Sequence, residues 1–305
     1  MKLGFIGLGR MGYNMVLSLL EKKHEVVVYD RIPDQIKKLS DKGAIPSNSL
    51  KELLDLLPER KIIWIMITAG KPIDDTLSQL IPILGKGDII IDGGNSYHEE
   101  SIRRYKELKK KGIHFLDCGT SGGMGGARNG ACIMVGGDKE AFKAVEPIIK
   151  SLSVKDGYSY LGKSGSGHFV KMVHNGIEYG MMASIAEGMQ AIKEISPDID
   201  LNEVAKVYAH GSIIESRLMS WTEDSYNAPG YLDSISGSVP RGETEEEMEN
   251  LENKSPTEMK ILKEARLMRA NSRTKPSYAG KLVSAMRNQF GGHAVNKENG
   301  KNKKK

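Results

Sequence analysis

Residues 2–12 read KLGFIGLGRMG, and the chain continues YNMVLSLLEKKHEVVVYD to Asp30. A short apolar run of strand character leads straight into Gly7, Gly9 and Gly12, spaced G-x-G-x-x-G. A helical pattern follows over 11–22, and then a second apolar run, 25–30, that ends on a carboxylate. Strand, glycine-rich turn, helix, strand and terminal acid together make the unit that holds a dinucleotide. The first glycine permits the tight turn, the second admits a pyrophosphate against the backbone, and the third lets helix and strand pack closely. The helix N-terminus then faces the anion. The expected cofactor contacts are Gly7, Leu8, Gly9, Arg10, Met11 and Gly12 in the turn, Asp30 and Arg31 at the end of the second strand, and Asn95 further along the chain. Asp30 stands eighteen positions beyond Gly12, where a carboxylate accepts hydrogen bonds from the ribose and repels a 2′-phosphate. That favours NAD. Arg31 offers either a partner for that phosphate, as NADP would need, or a flat surface for adenine.

Outward from this turn, apolar runs at 61–67, 88–92, 113–117 and 132–135 alternate with helical patterns at 33–42, 49–57, 73–84 and 98–110. Near-continuous runs such as IIWIMI suit strands buried on both faces, hence parallel ones. The expected fold is α/β, a doubly wound, mostly parallel sheet over residues 1–160. A Gly/Ser stretch at 162–167 ends this alternation. Residues 168–195 hold no proline and carry an apolar pattern for nearly eight turns, as expected of a helix buried on most sides. Helical patterns at 201–210, 212–221, 256–271 and 278–289 complete an all-helical domain, 161–293, assigned to substrate binding and dimerisation. Residues 243–252 carry six glutamates and read as an exposed helix or loop.

At 305 residues the length suits two domains. Hydrophobic residues make up 39% and charged residues 27%, which excludes a chain dominated by disorder. No apolar run approaches the roughly 20 residues of a membrane span, and the N-terminus lacks a signal-peptide layout. Two cysteines, Cys118 and Cys132, make neither a disulfide framework nor a four-ligand zinc site, and no metal-ligand cluster is visible. A reducing cytoplasm is the expected location. The net charge of +5 is concentrated at 297–305, KENGKNKKK, which carries +4. Residues 294–305 therefore read as a disordered, solvated basic tail and not as a nucleic-acid arm.

Within 168–195, Lys171, His174, Asn175 and Glu178 fall at i, i+3, i+4 and i+7 and share one stripe less than a third of the circumference wide. On an exposed helix such a stripe is solvated surface. On a buried helix these groups need a purpose, and a cleft-lining site supplies one. Two further segments follow strands, where ligands bind in this architecture. In Asp117–Gly123, Ser121 and the backbone N–H groups of Gly122 and Gly123 suit a carboxylate or hydroxyl. In Asp92–Ser96, Asn95 reaches towards the same place. Neither cysteine has an obvious base beside it, so both read as small strand residues.

GFIGLGRMGYNM (4–15), DGGNS (92–96), DCGTSGGMGGARNGACIMVGG (117–137), GSGHFVKMVHNGIEYGMM (165–182) and RNQFGGHAV (287–295) resemble the decarboxylating 6-phosphogluconate dehydrogenases. The likeness is to the short form of that family and reaches His293. GLGRMG and the Lys/Asn pair are shared with the wider β-hydroxyacid dehydrogenases. The resemblance implies oxidative decarboxylation of 6-phosphogluconate to ribulose 5-phosphate with reduction of NAD or NADP, in the pentose phosphate pathway. It implies that Lys171 is the base for the substrate hydroxyl and that Glu178 is the acid that protonates the former carbon 1. It implies that His174, Asn175, Asn95, Ser121, Gly122 and Gly123 hold the sugar acid and that Tyr179 helps hold its phosphate. Arg269 and Arg273 are both candidates for the phosphate arginine, with Arg273 preferred. It further implies a homodimer or homotetramer in which Arg287 and His293 complete the neighbouring subunit's phosphate site. After Ile235-Ser236-Gly237 the chain departs from the family: it reads SVPRGET, without the family's tryptophan, and Arg241 is the only basic residue there. Two other readings are a non-decarboxylating β-hydroxyacid dehydrogenase, opposed by His174, Glu178 and Tyr179, and a catalytically impaired nucleotide-binding homologue, supported by that altered segment alone.

Overall fold

The computed structural model describes residues 1–298. The chain divides into two compact units, one ending at Lys171 and the other starting at Met172.

The first unit is built on eight strands: β1 (Lys2–Ile6), β2 (Glu25–Tyr29), β3 (Ile45–Pro46), β4 (Ile62–Ile65), β5 (Ile89–Asp92), β6 (His114–Ser121), β7 (Ala131–Gly137) and β8 (Ser153–Gly162). They form one sheet in the order β3-β2-β1-β4-β5-β6-β7-β8. Every pairing is parallel except β6 with β7. Side chains alternate between faces with period two, and the sequence supplies an apolar residue for both. Leu3, Phe5, Val26, Val28, Trp64, Ile89 and Ile91 join one core with Met15, Val16 and Leu19 of the helix Arg10–Glu21. Val27, Ile63, Ile65 and Ile90 enter the opposite core with Leu53, Leu77 and Leu108. At about 1.5–3 kcal/mol for each large apolar side chain, these two layers hold the sheet. The strand order reverses between β1 and β4, so the first glycine-rich turn lies at the switch point where such sheets bind ligands.

The doubly wound sheet is as the sequence reads, with two strands added. β3 is a two-residue edge piece containing Pro46. β8 reads SVKDGYSYLG, with Lys155 and Asp156 exposed and Asp156 at φ 60°. Its pairing with β7 is interrupted by register shifts. An edge strand of this kind buries little, so its sequence lacks the apolar run that marks the inner strands.

The second unit is helical. Beyond the long helix Ser166–Ile195, which begins in the first unit, it contains Leu201–Tyr208, Arg217–Asn227, Tyr231–Ser234, Glu243–Lys254, Lys260–Ser272 and Tyr278–Gly291. Asp200, Ser216 and Ser277 cap three of these helices by accepting backbone N–H bonds. Met182, Ala186, Met189, Leu218, Leu282, Val283 and Met286 form its core. The glutamate-rich segment is a helix.

The compact units part inside the long helix, whose first turns pack on β6 and β7. In a single chain one face of the long helix is open: Ile177 is 52% exposed, and Val170 and Met181 are exposed with it. Within the expected disordered tail, residues 296–298 are paired with residues 234–236. Ser236 N–H donates to Asn296 O, Glu298 N–H donates to Ser234 O, and Ile235 bridges Lys297; residues 299–305 of the expected tail lie outside the described residues. Among the described residues no helix is long and apolar enough to cross a membrane.

Candidate active site

The three glycines of the first turn behave differently. Gly7 has φ 96°, and a Cβ there would stand 2.3 Å from Met66 O, so the turn admits no side chain. A Cβ on Gly12 would stand 2.0 Å from Gly7 O, which is the close helix–strand approach expected. A Cβ on Gly9 meets no atom within 4 Å. Gly9 thus leaves open space at the N-terminus of the helix Arg10–Glu21, and it caps that helix with no side-chain bond. Open space at a helix start fits a pyrophosphate. Asp30 lies beside the turn: one carboxylate oxygen accepts Leu8 N–H at 2.6 Å and the other accepts Ile32 N–H at 2.8 Å. The residues present therefore fit a dinucleotide, with Asp30 fixed beside the turn. Arg31 is exposed.

The two loops follow neighbouring parallel strands and leave the same edge of the sheet. Asp92, fully buried at the end of β5, accepts Gly94 N–H and the Ser96 hydroxyl, and Arg104 stands 3.6 Å away. Arg104 is itself fully buried and also pairs with Asp74 and Glu100. This cluster fixes the backbone on both sides of half-buried Asn95. Sequence reasoning missed it, because an arginine on a helix reads as surface. In the second loop, β6 runs on through Ser121, and Gly122 (φ 123°) turns the chain into the short helix Gly123–Asn129. Ser121, Gly122 and Gly123 are thereby placed at a strand end and a helix start, a site suited to an anion. Cys118 is fully buried, and burial, followed by the charges of Asp117 and Asp92, pushes its thiol well above the usual range. Cys132 is exposed on β7, opposite Ser121.

Lys171 lies in the second turn of the long helix, against the middle of β6. A Cβ on Gly119 would stand 2.4 Å from Lys171 Cβ, so the lysine stem rests on bare backbone. Further along the helix, Asn175 is buried and its Oδ1 is 3.2 Å from His174 Nδ1. Glu178 is half-buried and Tyr179 is buried. The predicted stripe is therefore carried by one continuous helix.

In the second unit the basic residues sort themselves. Arg273, the sequence's preferred phosphate ligand, makes a bidentate pair with Glu245 at 3.0 and 2.6 Å. Burial pushes the Glu245 carboxyl up, but the Arg273 pair outweighs this and holds it below the usual range. Arg269 is buried and stacks on Tyr179, with its guanidinium carbon 3.2 Å from the ring centroid. Burial, helped by the charge of Arg287, pulls Arg269 down to about 10. Arg287 is also lowered by burial, and its Nη1 donates to Pro240 O at 2.8 Å. A Cβ on Gly242 would be 3.2 Å from Arg287 Nη2 and 3.8 Å from the Tyr179 hydroxyl. The altered segment after Gly237 thus wraps Arg287 and Tyr179. Two desolvated arginines beside one tyrosine welcome an anion, whereas the charge of Arg273 is already paired with Glu245. Within its own chain the Arg287 guanidinium lies beside Pro240, Gly242 and Tyr179. His293 is exposed, against the Phe290 ring.

A doubly wound sheet with a dinucleotide turn at its switch point, followed by a helical unit, is the architecture of a nicotinamide-nucleotide-dependent oxidoreductase. More narrowly, the chain belongs to the 6-phosphogluconate dehydrogenase family. Residues 2–162 match the NAD binding domain of 6-phosphogluconate dehydrogenase and residues 167–197 match its C-terminal domain. YqeC of Bacillus subtilis (strain 168), provisionally named a 6-phosphogluconate dehydrogenase, is 46% identical over 98% of this chain and 100% of its own. The NAD(+)-dependent, decarboxylating 6-phosphogluconate dehydrogenase of Haloferax volcanii is 38% identical over 97% of this chain and 98% of its own. The 6-phosphogluconate dehydrogenase of Plasmodium falciparum superposes with a TM-score of 0.82 at 30% identity, covering 95% of this chain and 65% of that one.

Proposed function

We propose that the chain oxidises and decarboxylates 6-phosphogluconate to ribulose 5-phosphate and carbon dioxide, reducing NAD in preference to NADP. The observation that carries this reading is the seat of Lys171 on Gly119, on the helix that also bears Asn175 and Glu178. A bound nicotinamide nucleotide supplies the hydride acceptor. Lys171, neutral at the start, takes the proton of the substrate's β-hydroxyl as that carbon is oxidised. Protonated Lys171 then polarises the ketone while the carboxylate leaves as carbon dioxide. Glu178 returns a proton to the former carbon 1. Ser121, Gly122, Gly123 and Asn95 hold the carboxylate end, and His174 and Asn175 hold hydroxyls. Arg269, Arg287 and Tyr179 hold the phosphate. The carboxylate of Asp30 favours NAD by repelling a 2′-phosphate.

Self-association belongs to the same proposal. Val170, Ile177, Ser184 and Ala191 recur every seven residues along the long helix, flanked by Met181, Gly188 and Ile195, and all are exposed. A seam of apolar and small residues of this kind packs against a second copy of itself. The test of function is growth of the reduced-nicotinamide absorbance when purified protein meets 6-phosphogluconate and NAD, and its loss in Lys171→Met. General acid–base groups contribute about 10²–10⁴-fold, so a Lys171→Met enzyme of full activity overturns the reading.

A further inference from the structure

We infer that Asp117 and the bare backbone of Gly119 are the positioning device for Lys171, setting the lysine's place relative to Ser121 along a single strand. The inference rests on the reading of Lys171 as the base. Asp117 is fully buried on β6. One of its oxygens accepts Gly165 N–H at 2.7 Å and the other accepts His168 N–H at 3.0 Å. The first N–H groups of a helix have no partner within it. A carboxylate that takes two such bonds pins the start of the long helix Ser166–Ile195, and the helix dipole favours its charge.

The pinned turn lies directly on strand backbone. A Cβ on Gly167 would stand 2.4 Å from Asp117 O and 2.5 Å from Met134 O. A Cβ on Gly136 would stand 2.7 Å from Gly167 N and 2.8 Å from both Asp117 carboxylate oxygens. The His168 ring is tied separately, its Nδ1 being 2.7 Å from the Ser101 hydroxyl. Lys171 follows His168 by one helical turn, and its Cβ meets Gly119. Asp117, Gly119 and Ser121 alternate along β6 and so share one face. Each two-residue step is about 6.7 Å. The strand therefore acts as a rule: its first mark holds the helix start, its second receives the lysine stem, and its third presents the hydroxyl of Ser121.

A merely structural cap would make these residues matter for folding alone. A positioning role makes them matter for the rate, through Lys171. In Gly119→Ala the added methyl would sit 2.4 Å from Lys171 Cβ, so the lysine must move by about 1 Å, a misplacement that costs about 10²-fold in rate. Asp117→Asn keeps the shape and one acceptor but loses the charge, and a fall in kcat of about tenfold is expected. The experiment is steady-state kinetics across pH on wild type, Gly119→Ala, Asp117→Asn, Lys171→Met and the Gly119→Ala/Lys171→Met double variant. NAD affinity and thermal unfolding are measured in parallel. Both single variants at 117 and 119 should lose kcat and displace the limb of the kcat/KM profile that Lys171 governs, with NAD affinity unchanged. In the Lys171→Met background, Gly119→Ala should cost nothing more. Wild-type kcat and pH profile in Gly119→Ala overturn the inference, as does an equal loss with and without Lys171. If Gly119→Ala does not fold, Asp117→Asn decides by the same kcat and pH readouts. A fully active Lys171→Met overturns the underlying assignment of the base instead.

Discussion

A methyl group added at Gly9 meets no protein atom within 4 Å, and Gly9 has φ −64°, which any residue adopts. Gly9→Ala should therefore separate nucleotide binding from folding. Alanine is a poorer N-cap than glycine by about 0.5–1 kcal/mol. It also removes backbone entropy from the unfolded chain, which stabilises by about 0.4–1 kcal/mol. The two nearly cancel, leaving about 0.5 kcal/mol or less, or about 2 °C in Tm for a chain of this size. In the complex, the methyl occupies the space through which the pyrophosphate approaches the helix N-terminus. Overpacking by one methyl costs about 1–3 kcal/mol, so Kd for NAD should rise about 5- to 150-fold. Isothermal titration with NAD, alongside a thermal scan, reads both numbers. Gly12→Ala is the contrasting case: its methyl would lie 2.0 Å from Gly7 O, so stability must fall with binding. An unchanged NAD affinity in a well-folded Gly9→Ala would refute the placement of the pyrophosphate. A collapse of its Tm would refute the open space.

Asp30→Asn should raise the NADP/NAD ratio of kcat/KM, about tenfold if one charge repulsion near 1.4 kcal/mol is relieved; an unmodified enzyme that already prefers NADP would show that Arg31 dominates. Arg104→Met leaves fully buried Asp92 without its cation, and removing one partner of such a pair costs about 3–5 kcal/mol, to be read as a lower denaturant midpoint; a change under 1 kcal/mol would remove Arg104 from the account of the Asn95 loop. Ile177→Glu, placed on the exposed seam, should yield monomers by sedimentation, whereas an unchanged assembly would put the contact elsewhere. Because Arg287 lies beside its own chain's Tyr179, mixing Lys171→Met with Arg287→Ala chains should restore no activity; restored activity would place Arg287 in its neighbour's site.

The inner strands and the nucleotide turn could be read from the sequence because their causes are local. Strands β1, β4 and β5 are buried on both faces, and burial on both faces demands unbroken apolar runs. Gly7, Gly9 and Gly12 answer to a turn and a helix start only a few residues away. Strand β8 escaped notice because an edge strand with Lys155, Asp156 and Gly157 carries no such run. The helix stripe from Lys171 to Glu178 showed in its spacing, but what seats it did not. Asp117, Gly136 and Gly167 meet only in three dimensions, and in one dimension an aspartate before a glycine-rich segment reads as a turn. Arg269 and Arg273 differ by four positions, and the sequence favoured Arg273, which the structure shows paired with Glu245. Arg287 likewise needed the path of residues 238–242, where the chain departs from its family's pattern, to show which groups it faces.

The most direct test of the account is a stoichiometry. Given 6-phosphogluconate labelled at carbon 1 and saturating NAD, the purified chain should release one labelled carbon dioxide for each reduced nicotinamide formed, and no labelled keto acid should accumulate. Reduced nicotinamide with the label retained in the organic product would contradict the decarboxylating reading, and the absence of both would contradict the substrate.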